Sequence, residues 1–218
     1  MSSGPRVAGR PVEDPDVASV VCDAEMIEGA LETLAVLIVS QLKDFSVFVP
    51  VATGAMTFAS DLTRQCYVTQ RVVRDDVVRT YARPVIACAT CASYGDGTSS
   101  EGAKVDVRAP GAEVVRGRKV VILEDIIDSG RTAMALAKVL YEQGAEEVAL
   151  IALMDKRERR DPEATKYFEE KNMKIACAFL CPDEFVVGYG LDYQGKYRDL
   201  PFVGILKPEI FAGEGGEK

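Results

Sequence analysis

The residues with the clearest chemical potential lie in VVILEDIIDSGRT, from Val120 to Thr132, where Glu124, Asp125 and Asp128 follow an apolar run and precede Ser129, Gly130, Arg131 and Thr132. Three carboxylates this close repel one another unless cations or hydrogen-bond donors hold them. A solvated acidic loop is the ordinary explanation of such a run, but Ile126 and Ile127 interrupt the acids, which a fully solvated loop would not favour. The next residues suit the opposite charge. At a helix start, free backbone N–H groups and the positive dipole end attract an anion, Gly130 permits close backbone approach and Thr132 adds a hydroxyl. The turn reads as a phosphate cradle beside acids able to bind sugar hydroxyls or magnesium, so that one turn holds both ends of a phosphorylated ribose. No GxxxxGK[ST] loop occurs, and SYGDGTSS lacks the third glycine of a dinucleotide fingerprint.

Placing that turn requires a strand before it and a helix after it. Lys119 to Leu123 reads as a buried strand from which Glu124 and Asp125 emerge, and Thr132 to Gln143 carries Ala133, Leu136, Ala137 and Leu140 on one helical face, with Gly144 to stop it. Asp23 to about Leu42 has helical spacing, FSVFVPVATGAM is an apolar strand meeting Thr53-Gly54, and Phe58 to Tyr67 looks helical. Val85 to Ala92 and Val148 to Met154 are further strands, the second ending at Asp155-Lys156; Ser93 to Gly102 reads as a mobile loop. This alternation predicts an α/β fold, a parallel twisted sheet with helices on both faces. Ligands then bind beyond the carboxyl ends of the strands, where Thr53, Glu124 and Lys156 fall.

Composition narrows the chemistry. With 218 residues, 48% of them hydrophobic, the chain can bury a core of one domain with elaborations. Its formal charge of -8, with no basic block, argues against a nucleic-acid footprint. Histidine is absent, which removes Ser-His-Asp and Cys-His catalysis, so acid-base work falls to carboxylates, Lys, Tyr or Cys. The six cysteines lie mostly in apolar runs and suit a reducing compartment. Cys88, Cys91, Cys177 and Cys181 could by count form a zinc site, but no Gly-rich knuckles accompany them. The proline-bearing first residues have no apolar signal region and no run approaches a membrane span, so a cytoplasmic protein without membrane contact is expected.

VVILEDIIDSGRT resembles the phosphoribosyl-pyrophosphate (PRPP) signature of type I phosphoribosyltransferases, and Asp128 resembles the acid that marks their 6-oxopurine branch. Further segments match in family order from about residue 50 to 208. Met154-Asp155-Lys156-Arg157 resembles the lysine segment that reads the purine 6-oxo group, Phe185 to Tyr193 the purine-stacking and magnesium segment, Tyr197-Arg198-Asp199-Leu200 the arginine segment, and Ser93-Tyr94 the lid.

The resemblance implies transfer of phosphoribose from PRPP to N9 of hypoxanthine or guanine, giving a purine nucleoside monophosphate and pyrophosphate, with Mg2+ as cofactor. A xanthine-preferring enzyme or a non-catalytic PRPP sensor are the alternatives. It further implies Glu124 and Asp125 at the ribose and metal, Asp128 to Thr132 at the 5'-phosphate, Thr53, Gly54 and Arg198 at pyrophosphate, and Asp192 at a second metal ion. Asp128 would exchange a proton with purine N7, Lys156 would read the 6-oxo group, Phe185 would stack, the Val186 backbone would meet the pyrimidine edge, and Ser93-Tyr94 would close over the site. Simpler roles stay open: a helix N-cap for Asp128, an exposed lysine in DKRERR, a core aromatic at Phe185, an Arg198–Asp199 ion pair, and a surface loop at Ser93. Where many purine members carry Lys before the loop glycine, this chain has Thr53. The implied organisation is one domain over 18–212, with its core at about 45–160 and residues 175–208 adding to a small hood of terminal segments. A flexible arm (1–17) and tail (213–218) flank it, and a homo-oligomer, dimer or tetramer, is implied.

Overall fold

The computed structural model describes residues 6–7, 10–11, 14–72, 83–94 and 104–211. The first half of the chain runs β1 (Arg6–Val7), β2 (Arg10–Pro11), β3 (Val17–Cys22), α1 (Ala24–Gln41), β4 (Phe45–Ala52), α2 (Met56–Val72), β5 (Val85–Ile86), β6 (Ala89–Tyr94) and β7 (Lys104–Arg108). The second half runs α3 (Ala112–Val115), β8 (Lys119–Ile127), α4 (Arg131–Glu142), β9 (Glu147–Asp155), α5 (Pro162–Glu170), β10 (Ile175–Leu180), β11 (Val186–Val187), β12 (Val203–Leu206) and α6 (Pro208–Phe211).

The central sheet follows the order β10-β9-β8-β4-β6-β7, with β5 beside the first half of β4; all pairings are parallel except β6 with β7. Successive residues of the middle strands point to opposite faces, and both faces are apolar. Val121 and Leu123 join Phe48, α1 and α2 in one core cluster, while Val120 and Ile122 join Val47, Val49, α4 and α5 in the other. The sheet is thus covered on both sides, as the alternation of strands and helices predicted. No described helix is long and apolar enough to cross a membrane.

Several boundaries differ from the sequence expectations. β8 does not end at Leu123 but continues through the acids to Ile127, because β9 keeps pairing with it as far as Ile127 opposite Asp155. The run expected as one strand from Val85 to Ala92 breaks at Ala87-Cys88 into β5 and β6, each pairing with its own part of β4. Ser93 and Tyr94 are the last residues of β6 and not part of a loop, and residues 95–103 lie outside those described. Val17, expected in the arm, opens β3; the 213–218 tail lies outside the described residues.

A second, three-stranded sheet in the order β11-β12-β3 is the hood, built from segments near both chain ends. Its Val186 and Val203 join the core cluster of α1 and α2, so hood and sheet share a core. One contact sets the hood's height. Gly190 adopts φ +106°, and a Cβ there would lie 2.1 Å from the carbonyl oxygen of Gly54. We expect Gly190→Ala to force the hood turn off the Thr53-Gly54 loop. Clash and left-handed strain together should cost about 2–4 kcal/mol, read as a lowered unfolding midpoint in denaturant with an unchanged slope.

Candidate functional site

The end of β8 delivers its acids into a cavity of about 330 Å3 bounded by Thr53, Gly54, Glu124, Asp125, Asp128, Ser129, Gly130, Thr132, Asp192 and Arg198, among others. The carboxylates share that space for a backbone reason. The extended strand carries Glu124 and Asp125 to the sheet edge, and the chain then turns through Asp128 and Ser129 into α4. Glu124 is 5% exposed, and burial, then the neighbouring Asp125, pushes its carboxyl well above the usual carboxylate range. Burial raises Asp125 too, against the pull of the Ile126 N–H, 2.9 Å from its Oδ1, and of the Arg198 charge. Gly54 is packed on this carboxylate: a Cβ there would fall 1.8 Å from Asp125 Oδ2.

The helix start expected to cradle a phosphate is led by a left-handed glycine. Gly130 is the N-cap of α4 at φ +80° and has no side chain to cap it; of the first-turn N–H groups, that of Arg131 reaches Ser129 Oγ at 3.4 Å. The helix cap role weighed for Asp128 therefore belongs to Gly130. Gly130 is also closely backed, since a Cβ would lie 2.9 Å from Arg160 Cδ and 3.3 Å from the Phe168 ring. Arg131, expected at the phosphate, turns its guanidinium away: Nη2 is 2.6 Å from Asp161, which caps α5, and only its backbone remains at the cradle.

A second cavity of about 630 Å3 adjoins the first, sharing Asp125, Ile126, Asp128 and Asp192 with it and adding Lys156, Arg159, Asp183, Glu184, Phe185, Val186, Leu191 and Phe211. Lys156 is no surface lysine of a charged run: it is 7% exposed, and its Nζ donates to the Glu184 carbonyl at 2.8 Å. Phe185 is 40% exposed rather than core, stacked on Phe211 at 5.3 Å and edge-on to Tyr193 at 5.6 Å. Asp128 stands where the cavities meet. Arg198 does not pair with Asp199; its Nη2 lies 2.7 Å from Asp192 Oδ1 and its Nη1 donates to the Gly190 carbonyl. The other Asp192 oxygen accepts from the Gly195 N–H at 2.7 Å.

Sequence reasoning missed Arg159, Asp183, Glu184 and Phe211 as lining residues. The run DKRERR held a signal for Arg159, but nothing local tells which of its cations face a cavity. The four-cysteine zinc reading fails on topology. Cys88 and Cys91 flank and enter β6, whereas Cys177 and Cys181 lie on and just after β10, four strand spacings away, roughly 19 Å at ~4.8 Å each. The cysteines of the described residues are free, and burial pushes the thiols of Cys22 and Cys91 up to about 12 and of Cys181 to about 11, which makes them unreactive.

An acidic strand end, a glycine-led helix start and an adjoining aromatic pocket thus stand together at the carboxyl edge of a parallel sheet. Residues 23–194 match the phosphoribosyl transferase domain, and the chain belongs to that family. Among its relatives is the hypoxanthine-guanine phosphoribosyltransferase of Bacillus subtilis, 32% identical over 197 residues, or 90% of this chain and 97% of that protein. The bifunctional protein TilS/HprT of Listeria monocytogenes is 44% identical over 120 residues, which are 55% of this chain but span only 17% of that longer protein. In structure the chain is similar to the Trypanosoma cruzi hypoxanthine phosphoribosyltransferase complexed with the product IMP, with a TM-score of 0.73 at 23% identity, covering 95% of this chain and 100% of that one.

The raised carboxyl of Glu124 has a consequence for stability. A carboxylate whose folded-state pKa exceeds its unfolded value favours the fold below the unfolded value, near ~4.3, and that contribution is lost as pH rises through the folded one. Glu124→Gln should therefore raise the melting temperature of the ligand-free protein at pH 7–8 by a few degrees, roughly the effect of 1 kcal/mol in a chain of this size. The difference should vanish towards pH 4, as differential scanning calorimetry across that range will show.

Proposed function

We propose that this protein is a purine-salvage enzyme that transfers the 5-phosphoribosyl group of PRPP to N9 of hypoxanthine or guanine, releasing IMP or GMP and pyrophosphate. The observation that carries this reading is the position of Asp128, shared between the ribose-phosphate cavity and the aromatic cavity. Its side chain is 45% exposed there, with Oδ1 covered and paired with Arg159 Nε at 2.9 Å. The exposed part of that carboxylate is an acceptor open to a donor on a ligand. The N7–H of a purine is such a donor.

Glu124 and Asp125 receive the ribose hydroxyls, and the first-turn N–H groups of α4 with Ser129 and Thr132 receive the 5'-phosphate. Thr53 and Gly54 offer backbone N–H groups to pyrophosphate, joined by Arg198. In the aromatic cavity Phe185 supplies a ring face and Val186 its backbone to the pyrimidine edge. Lys156 spends one of three N–H donors on Glu184 and presents the others to the 6-oxo group. A 6-amino group would meet donor with donor, so adenine is excluded. As N9 bonds to C1' and the C1'–oxygen bond to pyrophosphate breaks, the N7 proton passes to Asp128 and the electron pair leaves with pyrophosphate. Ser93-Tyr94 at the end of β6 would close the site, and the free thiols fit a cytoplasmic setting.

The residues fit magnesium held jointly with the substrate. Among the described residues no group of three or more acids, cysteines or histidines is arranged to hold a metal alone. The buried carboxylate of Glu124 and the half-buried one of Asp125 are oxygen donors of the kind magnesium takes, and Asp192, paired with Arg198, would be a further one. Held there, magnesium would supply positive charge to offset that of pyrophosphate.

Assay with PRPP, magnesium and hypoxanthine, guanine or xanthine in turn tests the reading; no nucleotide from any of them would sink it. Within it, Asp128→Asn should lower kcat about 10²- to 10⁴-fold while PRPP binding by calorimetry stays within twofold. Unchanged turnover would remove Asp128 from the proton transfer.

A further inference from the structure

Arg159 is a cation that none of the steps above employs, yet it touches both walls of the aromatic cavity. Its Nε lies 2.9 Å from Asp128 Oδ1 on the β8–α4 turn, and its Nη1 donates to Asp183 Oδ1 at 3.2 Å on the β10–β11 connection. Its own backbone is fixed by a hydrogen bond from its N–H to the Lys156 carbonyl at 3.0 Å, closing the short 3-10 turn Arg157–Arg159. Two cations of one short segment thus reach the same wall: Lys156 holds the Glu184 carbonyl and Arg159 holds Asp183. The next residue along that wall is Phe185, the stacking face.

The geometry at Asp128 is unusual in a useful way. Arg159 Nε is within ion-pair distance of Oδ1, but the pair does not meet hydrogen-bond alignment, and Oδ1 remains without a donor. The guanidinium supplies charge at Oδ1 and covers it, while the Asp128 side chain as a whole stays 45% exposed. An aligned arginine fork would instead engage both oxygens, because planar guanidinium and carboxylate pair through parallel N–H donors.

We propose that Arg159 is a positioning residue of the purine site. It is a cationic strap between Asp128 and Asp183 that keeps the Asp128 carboxylate turned toward the incoming base and holds the wall bearing Phe185 at the width of a purine. This rests on the reading of Asp128 as the group that faces purine N7. The strap acts on the base half of the site and not on the sugar-phosphate half, since Arg159 lines the larger cavity only.

Steady-state kinetics with Arg159→Gln, Asp183→Asn and the double variant test the strap, with thermal unfolding recorded for each. Arg159→Gln should raise KM for the purine roughly fivefold, the upper range for a half-exposed ion pair, with KM for PRPP within twofold. Asp183→Asn should shift the same constant in the same direction by less. The double variant should be no worse than Arg159→Gln, because removing the strap leaves its anchor nothing to act on. Arg159→Lys should recover part of the loss, since an ammonium keeps the charge but cannot reach two carboxylates as a fork does. Equal shifts in both KM values, strict additivity, or unchanged kinetics would overturn the strap. Should Arg159→Gln fail to fold, an unaltered purine KM in Asp183→Asn does so alone. An active wild type with an indifferent Arg159 leaves the transferase reading standing, whereas a wild type inactive on all three bases removes both.

Discussion

At the end of β8 a buried carboxylate, Glu124, and a half-buried one, Asp125, stand with too little positive charge to match them, and the rest of the site is arranged around that imbalance. Glu124 is almost fully covered, and among the described residues no cation is paired with it. Desolvating an unpaired carboxylate is expensive, and a native fold keeps one where a ligand recovers the loss. The cost is borne by a sheet well able to carry it, since the middle strands are buried on both faces and clamp the strand that holds the acids. Stability and function are in tension at one residue, and the fold resolves it by placing the strain at the mouth of its most cooperative element.

The backbone around the acids is tuned to the same end. Gly54 yields its side chain so that Asp125 can lie against the loop, and Gly190 yields its own so that the hood turn can lie on Gly54. Three layers, β8, the β4–α2 loop and the hood, are therefore stacked at separations that a methyl group would spoil. Gly130 repeats the arrangement behind the phosphate cradle, where Arg160 and Phe168 occupy the space of a side chain. Close approach of backbone, more than any single side chain, sets where the two cavities meet.

Much of this was legible because strand, acids and cradle are contiguous in sequence. Periodicity marked β8, β9 and α4, and the type of residue at 124, 125 and 128 indicated the chemistry. What remained hidden depends on contacts between distant segments. β8 outlasts its apolar run because β9 pairs with it to Ile127, which no local pattern encodes. β10 is half-exposed along its length and shows no alternation to read. β11 is two residues long and exists only because β12 lies beside it. Arg131 and Arg159 sit in similar polar surroundings in the sequence, yet one turns out to Asp161 and the other in to Asp128 and Asp183. Side-chain direction is a tertiary property, and for long cations spacing alone does not supply it.

The position before Gly54 carries the remaining electrostatic question, because Thr53 brings no charge to the loop. Arg198 is the cation among the side chains lining the smaller cavity, where it faces Glu124, Asp125, Asp128 and Asp192, and part of its charge is already engaged by Asp192. With Arg198 engaged by Asp192 among the acids of the lining, the cavity has little free positive charge to offer a bare polyanion, whatever hydrogen bonds its backbone offers. A pyrophosphate group can enter favourably only if it brings positive charge with it, and the open carboxylates are then the partners for that charge. The acids that repel the anion alone attract the anion with its counter-ions. On the transferase reading proposed above, a loop without a cation would shift the burden of recognition from the protein's own charge to a metal that accompanies the substrate. Binding of the diphosphate ester should then depend more steeply on the divalent cation than it would in a site with a lysine beside Gly54.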